Sequence, residues 1–233
     1  MTWRYSHDIL KKRRSPFSVL RSPNLHRRNF SFLIIFIVTA LVFSACPGPG
    51  GGTPFVPQYR IGDTGPGGGK IFYVDPNGFT VEMIDPAQNY TAHYLEAAPT
   101  DMTSLAWASS VFIPPANGGT GNWIDITGTA MPICTGRKNT ALILAIDINA
   151  PAAKACITPP IGNGTFTDWF LPSFTELFRL WENRDLIGNL GTNNYWSSTQ
   201  INSVNVYSEI FSNGFQSVSS KYQTYTVRAI RAF

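Results

Sequence analysis

The clearest periodicity in the chain lies between Asp168 and Asp185. Phe174, Leu177, Phe178 and Trp181 recur at i, i+3, i+4 and i+7, the spacing of one apolar stripe on an α-helix. Ser173 followed by Glu176 forms a capping box, in which hydroxyl and carboxylate each satisfy a free backbone amide. Gly188 provides the stop. The pattern predicts an amphipathic helix of about three turns whose aromatic stripe needs a sheet to lie on. Period-two stretches supply one: Tyr195–Thr199, Tyr207–Phe211, and a strand running from Thr226 to Phe233. In that last strand Arg228 and Arg231 fall on opposite faces among Val227, Ile230 and Phe233, so both faces are expected to be covered and both arginines partnered.

Earlier in the chain, Lys70–Val74 and Phe79–Ile84 alternate around Asp75-Pro76-Asn77-Gly78, which predicts a hairpin. His93–Ala97 reads as a third strand and Thr140–Ile148 as a second helix, stopped before Pro151, with a short turn over Ala152–Cys156. Residues 99 to 132 are rich in Gly, Pro and Asn and read as long loops holding Trp107 and Trp123. Gly65 to Lys70 superficially suggests a phosphate loop. Thr64 stands where the first glycine should be, Ile71 follows the lysine, and a strand follows in place of a helix, so the glycines indicate a tight backbone crossing.

Composition alters the picture at the N-terminal end. A basic stretch carrying eight Lys and Arg precedes a twelve-residue apolar run, Phe32–Phe43, and then Ser44-Ala45-Cys46. A spanning helix needs roughly 20 apolar residues; a shorter run ending in small residues is a secretory signal. Residues 1–45 are therefore expected to be removed, 46–58 to form a Gly/Pro-rich tether, and 59–233 to fold as one domain. The whole chain is formally +4, but the exported part carries ten basic and thirteen acidic side chains, a net −3. It has no general attraction for nucleic acid. Cys134 and Cys156 form an even pair in an exported protein and are expected to be a disulfide, closing a loop worth about 3 kcal/mol.

Several blocks taken together resemble known families. Val42-Phe43-Ser44-Ala45-Cys46 resembles the lipobox of bacterial lipoproteins, which implies acylation of Cys46. Ile61 to Val74, Tyr94-Leu95-Glu96-Ala97-Ala98-Pro99, Thr135 to Thr140, Asp168 to Ser173, Tyr195 to Thr199 and Val227 to Arg231 resemble the Lcl C-terminal domain family. That family takes its name from the domain ending a collagen-like bacterial adhesin. The resemblance implies an α+β, C-type-lectin-like fold, with two main helices on a small, mainly antiparallel sheet and ligands carried on long loops. It also implies a glycan or protein ligand. No collagen-like repeat occurs here, so assembly through a triple helix is not implied.

Catalytic chemistry is sparse. His93 is the only histidine after the signal, and no zinc motif, nucleophile triad or C-x-x-C is present, so neither a metal nor a cofactor is expected. Glu96 with Asp101, or Asp168 with Glu176, could serve acid–base work, but Glu176 is committed to the cap. Trp123, Gln200, Asn202, Asn205, Tyr207 and Tyr222 combine flat aromatic faces with adaptable amides, as binding surfaces do. The sequence therefore predicts a non-catalytic, adhesin-like lipoprotein, anchored in the bacterial envelope at the outer membrane or cell surface. The alternatives are a structural envelope lipoprotein and an enzyme of unrecognised type.

Overall fold

In the computed structural model, residues 56–233 are described; the signal, Cys46 and most of the tether lie outside the described residues. The strand predicted from Lys70 is longer than expected. β1 runs Lys70–Val81 and pairs antiparallel with β2, Tyr90–Ala97. The predicted hairpin at 75–78 is thus corrected to a bulge inside one strand: Val74 faces Tyr94, and pairing resumes at Phe79 with Ala92. The turn chemistry is present, with the Asp75 carboxylate accepting from Asn77 N at 2.9 Å and Gly78 at φ 78°. It produces a local excursion, and the chain reverses later, where Asp85 caps a short 3₁₀ turn at Pro86–Gln88.

β2 also pairs with β8, Ile230–Ala232, completing a three-stranded sheet. The second sheet has the order β3–β7–β4–β5–β6, with β3 at Met102–Ala106, β4 at Asn194–Gln200, β5 at Asn205–Ile210, β6 at Phe215–Ser220 and β7 at Thr224–Val227. Only β4 and β7 run parallel, and they share a single pairing, Tyr195 with Thr226. The one strand expected over 226–233 is therefore two, β7 and β8, which leave one sheet for the other at Arg228-Ala229. β8 lies between β2 and Phe170, whose amide and carbonyl exchange hydrogen bonds with Ile230 at 2.8 and 3.0 Å. Both arginines are partnered, as their flanking apolar residues required.

Among the described residues, four α-helices cover the sheets: α1 Gly136–Ile146, α2 Pro151–Ile157, α3 Phe174–Glu182 and α4 Arg184–Ile187. One core gathers Trp107, Ile143, Cys156, Trp169, Trp196 and Val227. The other gathers Phe72, Leu95, Phe170, Leu177, Leu180, Tyr195 and Ile230. The described residues make up one compact unit of mixed α+β structure.

The capping box of α3 is formed: Glu176 N donates to Ser173 Oγ at 3.3 Å, and Ser173 N donates to Glu176 Oε2 at 2.6 Å. The second carboxylate oxygen accepts from Cys134 N at 2.8 Å, at the entry to α1. One buried side chain thus caps two helices. The apolar stripe is rotated from the one read in sequence, because Leu180 is fully buried whereas Phe178 is half-exposed and stacks on Trp181 at 5.8 Å. Three substitutions rank these roles in urea melts. Ser173→Ala is expected to cost about 1 kcal/mol and Leu177→Ala about 2–5 kcal/mol, with Phe178→Ala below Leu177→Ala. If Phe178→Ala cost more than Leu177→Ala, the helix would face the sheet as the sequence first indicated.

The expected Cys134–Cys156 disulfide is also corrected: both are free thiols. Cys156 fills space in the first core from α2. Cys134 sits in the turn before α1 at φ 79°, its carbonyl accepting from Glu82 N. Counting cysteines by parity cannot see that one sulfur is used as a core atom while the other sits in a turn outside both cores. Burial raises both thiol pKa values, that of Cys134 to about 11 and that of Cys156 further, so neither is an activated nucleophile.

Candidate functional site

The glycine stretch turns inward. Gly67 N and Gly69 N donate to the two carboxylate oxygens of Glu96, at 3.1 and 2.7 Å. A Cβ on Gly69 would stand 1.9 Å from Ala97 O, and one on Gly65 2.6 Å from the Glu96 carboxyl carbon. Backbone amides arranged this way suit an anion, and here the anion is the chain's own. Arg231 completes the cluster, reaching Glu96 at 3.2 Å and gripping Asp168 through Nε and Nη2 at 3.0 and 3.2 Å. All four carboxylates considered for acid–base work thus hold the scaffold: Glu96 and Asp168 here, Glu176 at the helix caps, and Asp101 beside Arg228 and Tyr195.

The residues expected to bind ligand separate into three places. Gln200 is knitted into the fold: its Oε1 accepts from Lys221 Nζ at 2.5 Å and Ile126 N at 3.0 Å, and its Nε2 donates to Asp125. Lys221 is itself buried over the Trp107 ring and donates to Ile124 O; loss of solvent lowers its pKa to about 8. Trp123 and Tyr222 pack on each other beside this cluster, ring centroids 6.3 Å apart. Asn202 accepts from Val204 N and Asn205 N, closing the turn between β4 and β5. Tyr207 packs on Phe174 at 4.5 Å, toward α3. Gln200, Asn202 and Tyr207 thus have structural partners, and the six do not line one cleft.

A different set does. Because β4 and β7 meet at one pairing only, a cleft of about 480 Å³ opens beside it. Its lining is Ser104 of β3, Thr192 and Asn193 in the bend before β4, Asn194 at the first position of β4, and Thr224, Tyr225 and Thr226 of β7. Every side chain there is a hydroxyl, an amide or a phenol, and none is charged. Among the described residues, the side chains of Ser104, Thr192, Asn193, Asn194, Thr224 and Thr226 make no hydrogen bond, so their donors and acceptors are available.

Ser104 sits at φ 56° in a bulge between the Met102–Val227 and Leu105–Tyr225 pairs. A left-handed serine costs energy, and the surrounding sheet holds it there. The approach to Thr192 is fixed from beneath. Arg228, fully buried, donates to Asp101 at 2.6 Å, to Ala98 O at 2.6 Å and to Asn189 O. Tyr195 donates to Asp101 at 2.5 Å and accepts from Gly191 N at 2.7 Å. These contacts anchor residues 189–191 on a rigid floor. The sequence signal for this cleft was the polar run Gly191-Thr192-Asn193-Asn194 entering a strand, a run that composition alone does not distinguish from a solvated turn.

No known protein family and no curated protein matches the chain. Among solved structures, a fimbrial protein from Bacteroides ovatus ATCC 8483 aligns at 20% identity and a TM-score of 0.37. The alignment covers 60% of this chain and 36% of that one. That likeness is too loose to transfer a role.

Proposed function

We propose that this protein is a surface lipoprotein, anchored through Cys46, whose domain binds a neutral glycan in the cleft between β3, β7 and the start of β4. The observation that carries the reading is the lining: unengaged hydroxyls and amides with a tyrosine ring, without charge, on three strands and the short bend that enters one of them. Polyhydroxylated ligands are recognised by such groups, and a rigid arrangement lowers the ordering cost of binding. The resemblance of the sequence to the Lcl C-terminal domain family, which implies a lectin-like fold, points the same way. The carboxylates' structural engagement favours binding over catalysis, and the net −3 of the exported chain disfavours a polyanion or nucleic acid.

The test is a glycan array probed with the chain from residue 47 onward, followed by titration of the best neutral hit. Asn193→Ala combined with Asn194→Ala is expected to weaken binding at least about tenfold, as losing two hydrogen bonds would, with little change in the thermal melt. The four-fold variant Gln200→Ala, Asn202→Ala, Asn205→Ala, Tyr222→Ala supplies the contrast. If that variant abolished binding with an intact melt while the Asn193/Asn194 pair had no effect, the site would lie at the β4–β5 turn.

A further inference from the structure

A second cleft, sharing no residue with the first, lies between α1 and residues 167–170. We propose that it binds a small monocarboxylate with an apolar tail. The cleft encloses about 250 Å³. Its walls are chiefly apolar, including Met83, Ile84, Leu144, Ile157, Trp169 and Phe170. Ile84 is 53% and Ile157 45% exposed, so branched aliphatic groups stand in water beside the opening. A tail lying between them would remove that apolar surface from water, which favours binding.

The head group follows from the charges. Three charged side chains line the cleft: Arg137, Lys138 and Asp168. Lys138 pairs with Glu82 at 3.0 Å. Asp168 has both carboxylate oxygens held by Arg231. Arg137 alone of the three has no ion pair among the described residues. It is half-buried and lies over the Tyr90 ring at 5.4 Å, donating to Tyr90 OH at 2.8 Å through Nη1. Its remaining donors form a planar fork that suits a carboxylate. One unpaired cation, with Asp168 on the same wall, suits a single negative charge better than a phosphate dianion.

The experiment is a titration of the ¹⁵N-labelled chain from residue 47 onward with octanoate, octanol and inorganic phosphate, followed by NMR. Octanoate is expected to shift amides in 137–144 and 167–170 and to bind at least about tenfold more tightly than octanol, with phosphate leaving these amides unmoved. Arg137→Gln should erase the octanoate preference and leave octanol affinity unchanged. A preserved spectrum for Arg137→Gln is the control for folding, and Arg137→Lys, which keeps the charge without the fork, should retain part of the preference. Equal affinity for octanoate and octanol, an unchanged preference in Arg137→Gln, or shifts confined to other residues would each overturn the proposal.

Discussion

Arg231→Met is expected to destabilise the domain by about 3–5 kcal/mol, the usual consequence of removing one partner of a buried ion pair. Arg231 is 4% exposed and Glu96 0%. Without the guanidinium, Glu96 keeps only the Gly67 and Gly69 amides, and Asp168 loses both of its donors. Phe166 and Phe233, whose rings lie 3.8 and 4.9 Å from the guanidinium carbon, lose their contact as well. Urea unfolding measures the loss. Adding Glu96→Gln to Arg231→Met removes the stranded charge and should restore part of the stability, a coupling that a double-mutant cycle quantifies. A loss below about 1 kcal/mol in the single variant would mean that the cluster is solvated in solution.

The second large effect concerns pH. Glu209 on β5 is fully buried, and neither carboxylate oxygen has a hydrogen-bond partner among the described residues. Burial, reinforced by the charge of Glu182, raises its pKa to about 8. Between the ordinary value near 4.5 and about 8, the folded chain retains a proton that the unfolded chain has released. Stability from this group is therefore complete below about pH 4.5 and is lost as pH rises through 8. Glu176 acts in the same direction up to about pH 7, again chiefly through burial. Wild type should thus lose on the order of a few kcal/mol between pH 5 and pH 8.5. Glu209→Gln should remove most of that slope, giving a variant more stable than wild type at pH 8.5. Parallel melting curves for the two proteins across this range would show that Glu209 is hydrated or paired in solution.

What the sequence disclosed and what it withheld divides along local and non-local lines. The α3 cap was legible because Ser173 and Glu176 lie three residues apart and complete their hydrogen bonds within one turn. The partnering of Arg228 and Arg231 was legible too, since apolar neighbours on both sides leave a guanidinium no water. The Asp75–Gly78 excursion was not, because the same residues build a hairpin turn or a bulge, and the partner strand decides which. β6 escaped notice as an edge strand whose Phe215 and Val218 face solvent, at 63% and 58% exposure. Gln200 has the composition of a binding residue, and only the burial of Lys221 21 positions away shows that its amide is already engaged. The cleft itself follows from a parallel pairing between strands far apart in the chain, which no local pattern encodes.

The polar links that close the domain span long stretches of chain. Arg228 meets Asp101 across 127 positions and Ala98 across 130, and Arg231 meets Glu96 across 135. Asp101 and Glu96 thus meet their arginines only near the far end of the chain, so a partial chain ending before Arg228 leaves both carboxylates without a cation and the three-stranded sheet without β8. Folding of this kind waits on loop closure and is slow. During synthesis the β2–β8 pairing and both buried ion pairs therefore have to wait for residues 228–232. Under the proposed anchoring through Cys46, which requires export, that delay would keep the polypeptide extended enough to thread and would let it lock only once its closing strand is through.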